Sequence, residues 1–136
     1  MTIRIHPISA SASEATIRGH KVTIDRPSDK GGTDAAPMGG ELFLASAGGC
    51  FMSNLLAAIK AREAQVSGIQ LDVIAKMEGT PARFTGLTLQ VSAECDDRAL
   101  LEKLVEIADR GCIMMNTLRG KLDLEIRLAA TRESGA

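Results

Sequence analysis

The sequence predicts an α+β fold. Three observations carry that prediction: short runs of alternating apolar and polar residues at both ends and in the middle, one long apolar stretch, and one amphipathic stretch with helix start and stop signals.

At the N-terminus Ile3, Ile5 and Ile8 alternate, Ala15 to Arg18 leads into a turn at Gly19, and Lys21 to Asp25 alternates again. These runs predict an antiparallel meander. From Pro27 to Gly40 the chain holds Pro27, Asp29, Gly31, Gly32, Asp34, Pro37, Gly39 and Gly40. That density of breakers predicts a loop, and loops this long in small domains are often functional.

Glu41 to Gln65 predicts the first helix, apolar on nearly every face in its front half and polar at Lys60, Arg62 and Glu63. A helix apolar all round has to be covered on all sides. A chain this small rarely wraps one helix, so a partner subunit is the expected cover. Gly48 and Gly49 each lower helix propensity by about 1 kcal/mol. Two reasons to keep them are close backbone packing and access for a ligand beside Cys50.

Ile69 to Ala75 and Leu87 to Ala93 alternate around Gly79, Pro81 and Gly86, predicting a hairpin. Asp96 and Asp97 supply a cap and N-terminal charge for a helix running to about Arg110. Its apolar face is Leu100, Leu101, Leu104, Val105, Ile107 and Ala108, and Gly111 is the stop signal. Lys121 to Leu128 alternates as a last strand, and the tail from Ala130 is expected to fray. The order is roughly β-β-α-β-β-α-β in a single domain over residues 1–136.

Composition narrows the function classes. Sixteen Lys and Arg against seventeen Asp and Glu give a net charge of −1, whereas phosphate backbones select a basic excess. Nucleic acid is therefore not an expected partner. Without Trp or Tyr, and with Phe43, Phe51 and Phe84 as the aromatics, base-stacking platforms are not expected either. The N-terminus lacks the pattern of a signal peptide. Leu42 to Ile59 approaches membrane-spanning length, but Ser46, Gly48, Gly49, Ser53 and Asn54 fit a buried helix better, so no membrane association is expected. Three cysteines without a secretory signal point to the cytoplasm, where a cysteine pair is more often catalytic, redox-sensing or metal-binding than a permanent staple.

Cys50 follows Gly48 and Gly49 in the apolar helix; Cys112 opens the run Cys112-Ile113-Met114-Met115 just after the second helix. A Cys50 enclosed by apolar neighbours would be raised and inert; against that stand the polar loop ending at Glu41 and the small residues that open space near the thiol. Cys112, between a stop-signal glycine and a short helical turn, can feel unpaired backbone N–H groups that favour a thiolate. Cys95 adjoins Asp96 and Asp97, which disfavour a thiolate, and reads as structural. No cysteine has a Cys or His partner at zinc spacing, so no metal is expected. Neither His6 nor His20 has a recognisable partner, and His20 reads as a turn residue. Gly31-Gly32 and Gly39-Gly40 lack phosphate-loop spacing.

Two segments carry a family resemblance. Pro37-Met38-Gly39-Gly40-Glu41-Leu42-Phe43-Leu44-Ala45-Ser46-Ala47-Gly48-Gly49-Cys50 resembles the P-x-E-L-L-L-A-A-L-G-G-C helix start of the OsmC/Ohr family, the osmotically inducible and organic-hydroperoxide-resistance proteins. Cys112 to Gly120 is similar to the family's C-P-x-S-N-x-x-R-G signature, with Asn116, Arg119 and Gly120 in register. Asp25-Arg26-Pro27 followed by Gly31-Gly32-Thr33 is typical of one branch.

The resemblance implies an OsmC-like fold: N-terminal antiparallel strands, a long buried central helix, a β-hairpin, a second helix and a last strand, in an intertwined homodimer with active sites at the subunit interface. It implies a peroxidase of oxidative-stress defence. Cys50 would attack an organic hydroperoxide as a thiolate and become a sulfenic acid. Cys112 would condense with it to a disulfide, and an external lipoyl dithiol or small thiol would reduce the pair. No bound cofactor is implied. The chain also departs from the pattern. Gly40 stands where peroxidase members carry a Glu, and Glu41 matches the next position. Arg18 and Arg26 are the candidates for the arginine that holds the thiolate. Ile113 replaces the proline of the second signature, and Met115 its serine. Gly40 and the methionines favour an alternative, an OsmC-like protein that binds a small apolar ligand or senses redox state with little peroxidase activity.

Overall fold

A computed structural model describes residues 1–129, and the tail from Ala130 lies outside them. The chain divides into two compact units, Met1–Phe43 and Leu44 onward.

In the first unit, β1 (Arg4–Pro7), β2 (Ser13–Ile17) and β3 (His20–Ile24) form an antiparallel sheet in that order. Ile5 lies opposite Ala15, and Ala15 opposite Val22, so the apolar set shares one face. Ile17 pairs with His20, which leaves Arg18 and Gly19 as a two-residue turn with Arg18 in the left-handed region at φ 55°. His20 thus opens β3 rather than sitting in the turn.

The loop after β3 is built around Asp25, which is only 2% exposed. Its Oδ1 accepts the Arg26 N–H at 2.7 Å. Its Oδ2 accepts the Thr33 hydroxyl at 2.7 Å, the Thr33 N–H at 3.2 Å and the Ala35 N–H at 3.1 Å. The Thr33 hydroxyl, then the Arg26 N–H, hold this carboxyl far below the usual carboxylate range against the opposing effect of burial. A side chain at Gly32 would overlap the Arg26 carbonyl oxygen. The pairing of Asp25-Arg26-Pro27 with Gly31-Gly32-Thr33 in the sequence therefore has a local structural cause.

Helix α1 (Gly39–Ala61) begins at the end of this unit. Glu41 Oε1 accepts the Met38 N–H at 2.9 Å, a carboxylate reaching back to the helix start.

In the second unit, α1 buries Ala47, Gly48, Phe51, Leu55 and Ala58, a spacing of one to four residues that makes a single stripe. Ala45, Gly49, Ser53, Leu56 and Ala57 are exposed on the other side. Within one chain the apolar helix is covered on one side. It is long and apolar enough to suit a membrane span by length and composition, but its buried stripe packs closely on β4 (Ser67–Glu78): a Cβ at Gly48 would fall 2.6 Å from Val73 Cγ2.

The sheet of this unit has the order β4 (Ser67–Glu78), β5 (Arg83–Glu94), β6 (Asp123–Leu128). β4 and β5 form the antiparallel hairpin with Val73 opposite Leu89. Both strands run past the alternating segments because ladder hydrogen bonds continue through polar residues such as Lys76 and Arg83. β6 pairs parallel to β5, Leu89 opposite Ile126. A parallel pair needs a crossover, supplied here by α2 (Arg98–Gly111) and the short α3 (Ile113–Leu118). Leu87, Leu89, Val91 and Ala93 of the central strand β5 are all fully or almost fully buried.

Asp97 caps α2 by accepting the Leu100 N–H at 3.0 Å, and Leu101, Leu104, Val105 and Ala108 form its buried face. Cys95 packs with Ala93 and Leu101, and its thiol donates to the Asp97 carbonyl at 3.3 Å. Against the expected element order, the additions are a third N-terminal strand and α3.

Candidate functional site

The second unit brings Cys50 and Cys112 together. Cys50 sits at the middle of α1, partly exposed, while Cys112 occupies the junction of α2 and α3 and is 0% exposed. The Cys112 thiol donates to the Cys50 sulfur across 3.1 Å. A disulfide needs about 2.0 Å between sulfurs, so closure asks for a shift of about 1 Å.

The α2–α3 corner is held by the residues of the second signature. Asn116 Nδ2 donates to the Arg110 carbonyl at 3.1 Å. The Arg119 guanidinium pairs with the Asp109 carboxylate. Gly120 takes φ 80°, which turns the chain toward β6. Cys112 itself is extended, φ −86° and ψ 119°, and its carbonyl accepts the Asn116 N–H at 3.0 Å. That geometry aims the first N–H groups of α3 at Cys50.

The two thiols are polarised in opposite directions. The Met114 N–H, then the Cys112 thiol and the Ile113 N–H, lower the Cys50 thiol from its ordinary value, against the effect of burial. Burial raises Cys112, and so does the bond its thiol donates to Cys50; together they outweigh the Met115 and Met114 N–H groups. For Cys112 this differs from the expectation from sequence. The N–H groups of α3 prevail over burial at Cys50 and do not at Cys112. Ile113 contributes an N–H that the proline of the family signature would lack.

Asn54, one turn after Cys50, was absent from the sequence candidates. Its Nδ2 donates to the Cys50 carbonyl at 2.9 Å and lies 4.0 Å from the Cys50 sulfur. Helical i, i+4 spacing from Cys50 is the signal that could have found it. The two glycines before Cys50 divide the roles expected of them: Gly48 meets Val73, whereas a Cβ at Gly49 would meet nothing within 4 Å. Met115 is fully buried and packs in the core, and Ile113 is 76% exposed.

Arg18 and Arg26 both belong to the first unit, the cysteines to the second. Arg18 lines a cavity of about 570 Å³ with Thr2, Arg4, His6 and Thr16. Arg26 lines another of about 550 Å³ with Lys30, Ser11 and Ser13 among its neighbours. Glu41 is engaged at the start of α1 by the Met38 N–H. Among the described residues no cluster of three or more His, Cys, Asp or Glu side chains could hold a metal ion.

Comparison with known proteins agrees with this architecture. A family profile described as "OsmC-like protein" matches residues 31–127. The chain is similar to the OsmC-like protein from Mycoplasma pneumoniae, with a TM-score of 0.82 at 14% identity over 96% of each chain. It is similar to the organic hydroperoxide resistance protein OsmC from Legionella pneumophila, with a TM-score of 0.72 at 21% identity over 95% of this chain and 96% of that one. It is also similar to the organic hydroperoxide resistance protein OhrB of Bacillus subtilis, with a TM-score of 0.66 at 21% identity over 95% and 98%. At these identities the likeness establishes the fold. No curated protein sequence gives a significant match.

Proposed function

Since the chain belongs to the OsmC-like protein family, we propose that it is a thiol peroxidase that reduces organic hydroperoxides through Cys50 and Cys112. The observation that carries this reading is the 3.1 Å contact between two oppositely polarised thiols, one partly exposed and one buried. The nucleophile in such chemistry is the thiolate, and Cys50 is the thiol favoured in that form and open to solvent. Its sulfur attacks the outer oxygen of R–O–OH. The O–O bond breaks, a proton goes to the departing alkoxide, and the products are ROH and Cys50 sulfenic acid. The Cys112 sulfur then displaces the hydroxyl of that acid, its proton leaves with it as water, and the disulfide forms. An external dithiol, such as a lipoyl group, returns both cysteines to thiols and is itself oxidised to a disulfide. The names of the Legionella and Bacillus proteins support the hydroperoxide class.

In this reading the working form is a homodimer in the cytoplasm, with a second copy over the open side of α1, where Leu56 is 50% exposed. Arg18 or Arg26 remains the candidate to steady the thiolate. The alternative, binding of a small apolar ligand, is supported by one observation. A cavity of about 300 Å³ between α1 and β4 is lined by Ala45, Gly48, Gly49, Met52, Leu71 and Val73 among others.

The decisive assay follows cumene hydroperoxide consumption with dihydrolipoamide as reductant, comparing the wild type with Cys50→Ser. The wild type is expected to turn over and the variant to fall to background. Equal rates would sink the peroxidase reading. Peroxide treatment of the wild type should lower the mass by about two units, and Cys112→Ser should instead retain an oxygen as sulfenic acid.

A further inference from the structure

Asn54 carries two amide hydrogens, and the backbone uses one. Nδ2 donates to the Cys50 carbonyl at 2.9 Å, which leaves the second hydrogen on an atom 4.0 Å from the Cys50 sulfur. Asn54 Oδ1 lies against Gly111, where a Cβ would come within 3.1 Å of it. The Cys50 carbonyl needs a donor, so the bond to it keeps the nitrogen on the Cys50 side, and Gly111, the residue before Cys112, leaves room for the oxygen.

Local helix chemistry does not require an asparagine there. Ser53 makes the same kind of bond to the carbonyl four residues back, 3.0 Å to Gly49, and Thr117 does so to Ile113 at 2.7 Å. A hydroxyl satisfies the carbonyl but has no second hydrogen to give. The carboxamide has one, and it sits beside the partly exposed sulfur.

We infer that Asn54 is a side-chain donor to the Cys50 sulfur, giving its second amide hydrogen to that atom once the sulfur carries negative charge. The Met114 and Ile113 N–H groups reach the sulfur from α3, and Asn54 approaches it from α1 itself. Cys112 is the titratable group in contact with Cys50, and it stays unchanged in the test. The inference deepens the thiol reading above, but it concerns the thiolate and not its substrate.

The test therefore reads the thiolate directly. Iodoacetamide alkylation of Cys50 is followed by mass spectrometry of the Cys50 peptide, from about pH 5 to pH 10, a range that brackets thiol ionisation. The full chain is compared with Asn54→Ala, Asn54→Ser and Asn54→Asp. Loss of a hydrogen bond to a charged atom should slow alkylation at pH 7 by about three- to tenfold in both the Ala and Ser variants. The limiting rate at high pH should stay unchanged, and Asp, which adds a negative charge, should slow it further.

A Ser variant matching the wild type while Ala is slow would reduce Asn54 to a backbone role and overturn the inference. Ala and Ser variants both matching the wild type would overturn it as well. If Ala fails to fold, Ser keeps the helix-compatible bond and decides alone. Alkylation needs no peroxidase turnover, so an inactive peroxidase and an idle Asn54 give different results.

Discussion

At the residue scale, the contrast between Cys50 and Cys112 is one of backbone donors against burial. Cys50 is lowered first by the Met114 N–H, and Cys112 is raised first by burial. Alkylation at neutral pH should therefore label Cys50 first, and Cys112 only at higher pH or after unfolding, as peptide mass spectrometry would read. Ile113 is exposed and opens α3, where proline is compatible with a helix. Ile113→Pro should therefore keep the fold and slow Cys50 alkylation at neutral pH by removing one N–H. An unchanged pH profile would show that this donor does nothing. Asp25 gives the acid side of the argument. A carboxyl whose folded value is depressed contributes stability above its unfolded pKa of about 3.9, and loses it as pH falls through the folded value. Thermal unfolding of the wild type should thus weaken progressively below about pH 4. Asp25→Asn should be less stable at neutral pH, and its acid limb flatter, because an amide cannot accept the Arg26, Thr33 and Ala35 donors together.

At the element scale, Gly48 explains why a helix with two central glycines is tolerated. Its close approach to Val73 lets α1 settle on β4. Gly48→Ala gains up to about 1 kcal/mol of helix propensity but overpacks this contact, at a cost of about 1–3 kcal/mol. A net loss of about 1 kcal/mol in urea unfolding is expected. Asp97→Ala removes the α2 cap and should cost about 1 kcal/mol. A neutral result would mean that tertiary packing, not the cap, starts that helix.

At the whole-molecule scale, the open side of α1 is what a single chain leaves unexplained. Burial follows one stripe, and Leu56 stays half-exposed beside Ala45, Gly49, Ser53 and Ala57. The proposed homodimer predicts elution at about twice the 14.4 kDa chain mass in gel filtration. Leu56→Glu should shift it toward monomer without unfolding the second unit. A wild-type monomer at high concentration would remove the dimer and leave the exposed apolar side without an occupant.

Much of this was legible in the chain because it is local. Alternation marked the β4–β5 hairpin and β6; the Asp97 cap and the apolar face of α2 marked that helix; and glycine and proline density marked the loop around Asp25. The two cysteines were also legible as candidates, since each sits in a distinctive run. Other features depend on atoms distant in sequence. The parallel pairing of β6 with β5 follows from a crossover, and no hydropathy pattern encodes which neighbour a strand selects. The thiol lowered at Cys50 owes its state to N–H groups of Ile113 and Met114 and to a sulfur sixty-two positions away. Asn54 has room for its amide oxygen only because Gly111, fifty-seven positions on, lacks a side chain. Sequence determined which elements form and which residues could react. Tertiary structure decided which thiol is lowered and which is raised, because hydrogen bonding and burial act through space on a single atom.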